Sequence, residues 1–192
     1  MKKLIVLSMV LIALIVACSS GSKDWGKSLT TGLDLFDAGK YSEAIDEFGK
    51  ITEGASEEIY LGQAYYWIGR ANQETGANAN AVGSFTKALA VHPSAPAAAL
   101  HDYYLQRGKA RADWGASTYA VDPEGGKELL NGAFSDFDAA ISQSSTGEAY
   151  LLVATLWTIS GVLDPNYFRD SEAKANLALE KAKELSPYLF SK

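Results

Sequence analysis

The sequence predicts an all-α fold: a right-handed α-solenoid of about four helical hairpins, preceded by a cleaved leader. Three observations predict it. Beyond residue 24 no stretch alternates apolar and polar residues in the way a half-buried strand does. Gly and Pro divide the Ala-rich remainder into helix-sized blocks. One spacing then recurs. Gly32 to Gly39 and Gly69 to Gly76 are each seven residues apart, and the second glycine of each pair precedes Ala44 or Ala81 by five. The composition, 192 residues with 47% apolar and 21% charged, excludes a disordered or collagen-like chain and suits one domain with a full core.

The leader comes first. Residues 4–17, LIVLSMVLIALIVA, carry no charge, follow Lys2 and Lys3, and end at Cys18, the single cysteine. A positive tip, an apolar core and a small residue before the cut describe a secretory signal. The core is 14 residues long, short of the roughly 18 that a spanning helix needs. Ile15-Val16-Ala17-Cys18 resembles the bacterial lipobox. That resemblance implies a signal peptide over 1–17, acylation of Cys18, and a short tether over 18–24 ahead of a helical domain at 25–192. The covalent lipid on Cys18 is then the one non-protein group expected, with no cofactor and no metal. Several acyl chains anchor stably where one does not, since each buried CH₂ adds roughly 0.8 kcal/mol. Ser19 in place of Asp after the cysteine favours the periplasmic face of the outer membrane in a Gram-negative cell. Loss of Lys2 and Lys3 leaves 15 basic against 23 acidic residues, a net charge of −8. Such a chain is repelled by nucleic acid and anionic lipid, so no nucleic-acid partner is expected. Membrane attachment would come through the lipid anchor.

The hairpins follow in order. The first carries Gly32, Gly39, Tyr41, Ala44, Phe48 and Ile51. The second repeats it: Tyr65-x2-Ile68-Gly69, Gly76, then Ala81-x3-Phe85-x2-Ala88-Leu89, with Pro93 as the stop. Gly32 and Gly69 are expected to let two helices approach, and Gly39 and Gly76 to sit in left-handed caps. Phe48 and Phe85 are expected to fill the space between hairpins. Asn78 is placed to cap one helix, and Ser56 with Glu57 and Glu58 to start another. The third copy reads Tyr104-x2-Arg107-Gly108, then Ala133-x3-Phe137-x2-Ala140-Ile141, with Arg107 where the second copy has Ile68. Its Gly-to-Ala distance is 25 residues instead of 12. This predicts a first helix running to about Tyr119 and a second starting at Pro123 behind Asp122. The fourth copy reads Trp157-x2-Ser160-Gly161, then Ala175-x3-Leu179-x2-Ala182 and Pro187. Trp25 and Tyr188-Leu189-Phe190 are candidate end caps.

These motifs resemble the tetratricopeptide repeat, whose pattern places an aromatic residue before Leu-Gly, then A-x3-F, then Pro. The resemblance covers residues 25–187 and implies a curved stack whose first helices line a concave, partner-binding face. Helical spacing turns Gln63, Tyr66, Arg70 and Gln73 towards that face in the second copy, Asp102, Leu105 and Lys109 in the third, and Thr155 and Thr158 in the fourth. Trp114 and Tyr119, in the inserted stretch, are added as aromatic anchors. Leu29, Leu33 and Phe36 make the first copy's face apolar.

No catalytic constellation stands out. His92 and His101 lack spaced metal-ligand partners, and Gly125-Gly126 lacks the P-loop sequel. The expectation is a non-enzymatic, membrane-anchored scaffold or assembly factor of the bacterial cell envelope, binding an envelope protein or peptide segment. Two alternatives remain at this point. One is a small-ligand module serving a transporter, with a cavity roofed by residues 114–126. The other is a self-associating structural component.

Overall fold

The computed structural model describes residues 24–191. The signal peptide, Cys18 and most of the tether lie outside the described residues. Eight α-helices and no strand occur among those described: α1 (Trp25–Asp37), α2 (Tyr41–Gly54), α3 (Glu58–Glu74), α4 (Asn78–Val91), α5 (Ala97–Tyr119), α6 (Pro123–Gln143), α7 (Gly147–Leu163) and α8 (Ser171–Leu185). A 3₁₀ turn over Pro187–Phe190 follows. The helices pair as four hairpins, and each helix packs on the next. Each first helix also touches the first helix of the following hairpin: α1 on α3, α3 on α5, α5 on α7. The second helices make no comparable contact with one another. That asymmetry places α1, α3, α5 and α7 along one inner face.

A repeated key holds each of the first three hairpins. The ring of Phe48, Phe85 or Phe137 lies on the glycine of the preceding helix. A Cβ added to Gly32, Gly69 or Gly108 would stand 2.4, 2.6 or 2.6 Å from a ring carbon. These phenylalanines thus fill their own hairpin first. Phe48 additionally stacks on Trp67 of the next hairpin, at 6.5 Å between centroids. In the fourth hairpin the corresponding glycine, Gly161, faces Ser171.

The two short turns are identical. Gly39 and Gly76 have φ of 72° and 75°. Gly39 donates to Phe36 O and Lys40 to Leu35 O; Gly76 donates to Gln73 O and Ala77 to Asn72 O. This is the Schellman closure, which satisfies carbonyls left over at a helix end. It also corrects one expectation. Because Ala77 closes the turn and precedes α4 directly, Asn78 is the first helical residue and makes no cap. Ser56 does not cap α3 either; its N–H donates to the Glu57 carboxylate. Asp122 does cap α6, accepting from the Gly125 N–H at 3.0 Å.

Arg107 is accommodated by a buried acid. Asp136 on α6 is 2% exposed. It accepts from Arg107 Nη2 at 2.6 Å and Arg107 Nε at 3.0 and 3.1 Å, and from Arg111 Nη1 at 2.8 Å. At the N-terminal end Trp25 is buried against Gly54. At the other end the 3₁₀ turn touches α8 but leaves Tyr188 71% exposed, so it lies along the last hairpin without sealing it.

Candidate functional site

The inner face carries an open groove of about 390 Å³. Leu29 and Leu33 of α1 line one wall, and Asp102 and Tyr103 of α5 the other. Gln63, Tyr66 and Trp67 of α3 lie between them, and His92 and Pro96 close one end. Helical spacing places Leu29 and Leu33 on α1, and Gln63 and Tyr66 on α3, one turn apart, so each pair faces the groove together.

The α3 aromatics are fixed by their neighbours. The Tyr66 ring lies 5.3 Å from Trp67, 5.3 Å from Tyr103 and 5.8 Å from Phe85. Its hydroxyl accepts from Arg70 Nη1 at 3.3 Å. The Arg70 guanidinium in turn sits over Phe36 and Trp67, at 5.9 and 5.8 Å. Burial pushes the Tyr66 hydroxyl above its usual range, against the opposing pull of Arg70. Burial takes Tyr103 up to about 12, with Tyr66 and Asp102 adding to the rise. Both phenols are therefore neutral hydrogen-bonding groups near pH 7. Burial also raises the Asp102 carboxyl; His101 opposes this and Glu148 reinforces it.

The structure brings Tyr66 and Asp102 into the groove and sets Arg70 behind Tyr66. Gln73 is engaged, its Nε2 donating to Gln106 O across α3 and α5 at 3.1 Å. Lys109 is half-buried and lies near Asp113. Thr155 is exposed on α7, its hydroxyl donating to Leu151 O at 2.9 Å. Leu105 is a correction. It is 3% exposed and belongs to the core with Leu130 and Phe137, because it lies one turn from Gly108 on the packed side of α5. Tyr119 does not face the groove; its hydroxyl donates to Asp164 Oδ2 at 3.1 Å, tying α5 to the end of α7. Trp114 borders a separate open recess of about 510 Å³ with Arg111, Thr118 and Leu129. Residues 114–126 contribute to its wall and do not roof an enclosed chamber.

Trp67, Tyr103 and His92 are groove residues the spacing argument passed over. Three consecutive aromatics, Tyr65 to Trp67, span about 200° of a helix. They cannot all pack inward, and that was the available signal. The other histidine is structural: His101 is buried, with Nδ1 2.9 Å from Ala140 O. Among the described residues no group of three or more His, Cys, Asp or Glu is placed to hold a metal ion.

The architecture has a counterpart among solved structures. A thermophilic TPR protein of Thermus thermophilus, known from its crystal structure, superposes with a TM-score of 0.63. The likeness covers 85% of this chain and 75% of that one, at 21% identity. The fold is TPR-like. At that identity the likeness is one of fold alone. No protein-family model and no curated protein matches the chain.

Proposed function

We propose that the protein is a membrane-anchored interaction scaffold or assembly factor of the bacterial envelope, holding a segment of a partner protein in the groove of its first helices. The observation that carries this reading is the groove itself. Three successive first helices supply one open trough with Leu29 and Leu33 on one side, fixed aromatics in the middle and Asp102 opposite. An open trough with an apolar floor and a few oriented polar groups suits a chain segment, whose backbone and side chains can both be met. Tyr66 is held by Arg70 and three rings, so little ordering is lost on binding. The reading assigns the groove no catalytic step. The envelope assignment rests on Ile15-Val16-Ala17-Cys18, and the lipid on Cys18 supplies the anchor.

Photo-crosslinking in intact cells tests it. Crosslinkers at Tyr66 and Lys109 are expected to capture the same envelope protein, and one at Lys50 on α2 to capture none. Capture only at Lys50 would reject the groove as the binding face.

A further inference from the structure

A second hollow, of about 410 Å³, lies away from the groove, over α7 and between the second helices α6 and α8. Its floor is Trp157, Val153 and Ile141, and Leu177 and Ala178 form one wall. The floor is backed by other rings: Trp157 packs on Phe134 at 4.2 Å and meets Phe168 edge-on at 6.4 Å. Leu177, at the mouth, is 67% exposed.

The charges lining this hollow are less acidic than those of the chain. The whole sequence has a formal charge of −6, yet two lysines and one acid, Asp138, line the hollow. Lys174 and Lys181 stand two turns apart on α8. Lys174 Nζ lies 4.2 Å from the Trp157 ring centroid and donates to Arg169 O at 3.2 Å. Lys181 is paired with Glu184 at 2.6 Å, with side chains 48% and 64% exposed, the kind of surface pair that exchanges readily. The Tyr150 hydroxyl is close enough to Lys181 to interact with it electrostatically. That hydroxyl has no hydrogen-bond partner among the described residues.

We propose that this hollow binds an aliphatic carboxylate. The hydrocarbon chain would lie over Trp157, Val153 and Leu177, and the carboxylate would meet Lys181 and the Tyr150 hydroxyl at the mouth, with Lys174, held against Trp157, adding a second positive charge. The volume lies in the range of about 300–1,000 Å³ of small-molecule sites. Burial of the chain supplies the attraction. The two ammonium groups choose the head group: they favour an anion, gain nothing from an alcohol and repel an amine.

The test uses the full chain in phosphatidylcholine vesicles with 12-bromododecanoate as probe, because bromine quenches a tryptophan it touches. The expected result is saturable quenching that is lost in Trp157→Phe. The half-saturation should rise about tenfold or more in Lys174→Glu/Lys181→Glu, and also with 12-bromododecanol in place of the acid. A circular-dichroism spectrum unchanged by the substitutions confirms the fold. Quenching that does not saturate, or is equal for acid and alcohol, or is indifferent to the charge reversal, would overturn the proposal. So would a dimer in sedimentation that Leu177→Asp dissociates, since the hollow would then be covered by a second copy.

Discussion

Asp136 shows how one buried charge sets the third hairpin. The carboxylate is 2% exposed and receives Arg107 and Arg111 together. Removing one member of such a set leaves the other charges buried and unmatched, at about 3–5 kcal/mol. Asp136→Ala is therefore expected to lose about that much in urea unfolding. In combination with Arg107→Leu the loss should fall short of the sum of the two single effects, since the residues share one network. Additive losses would mean the pair is not coupled. This network was not legible in the sequence. Asp136 reads as a solvated helix residue, and its partners lie 29 and 25 positions away. The glycines were legible, because close approach and positive φ leave no other residue comfortable. They also differ from one another in a measurable way. A Cβ at Gly69 would stand 2.6 Å from the Phe85 ring, whereas at Gly83, also helical, it would meet nothing within 4 Å. Gly69→Ala should cost about 1–3 kcal/mol by overpacking. Gly83→Ala should add about 0.5–1 kcal/mol by restricting the unfolded chain. Thermal unfolding of the two variants checks the opposite signs.

The lengthened pair α5 and α6 has 23 and 21 residues, whereas the other helices have 13 to 17. The extra length was visible in the stretched Gly-to-Ala spacing, and its turn in Asp122-Pro123, because both signals are local. What the length reaches was not visible. The far end of the pair touches the α7–α8 connection: Tyr119 donates to Asp164, and Lys127 bridges Asp164 at 3.1 Å and Glu124 at 3.0 Å. Asp164 also accepts from its own connection, at the Tyr167 N–H, and Asn131 donates to the Tyr167 hydroxyl at 2.8 Å. The Tyr167 N–H first, then Lys127 and Tyr119, hold the Asp164 carboxyl below the usual carboxylate range. A depressed value means the contribution is present above the ordinary carboxylate pKa and disappears as pH falls through the depressed one. Asp164→Asn should accordingly lower hydrogen-exchange protection of residues 164–170 at pH 7, with the α2–α3 core unaffected. The unsubstituted protein should lose the same protection only in acid. Equal protection in both proteins at pH 7 would show that packing, with Phe168 buried beneath, holds the connection by itself. The misplaced caps at Asn78 and Ser56 belong to this scale too. Residue type marked where a helix begins, but the turn closing the previous helix decided which residue came first.

At the scale of the whole molecule, periodicity found the concave face and mistook one of its residues. Leu29, Leu33, Gln63, Tyr66 and Asp102 do line a single groove. On α5 the step from Asp102 runs to half-buried Gln106 and Lys109, whereas Leu105 falls with Gly108 on the packed side. An error of one residue turns a side chain through about 100°. What the folded body does depends on where it is held, and here residues outside the described structure enter. The body presents no helix long and apolar enough to cross a membrane among its described residues, and the chain without its leader carries a net charge of −8. On the proposed reading, residence at the membrane therefore rests on acylation of Cys18. On the same reading, the five residues Ser19 to Lys23 can extend at most roughly 18 Å, which would hold the start of α1 near the bilayer. Cys18→Ser should abolish fractionation of the mature-size protein with membranes, leaving it soluble or uncleaved. A Tyr66 crosslinker in the same variant separates two causes of retention. If mature Cys18→Ser protein still sediments with membranes and Tyr66 still captures a partner, that partner is holding the body there. If it sediments with no partner captured, attachment has another source and the lipid-anchor reading fails. Loss of sedimentation with the groove still competent towards its purified partner is the outcome expected, because anchor and groove are joined only by the tether.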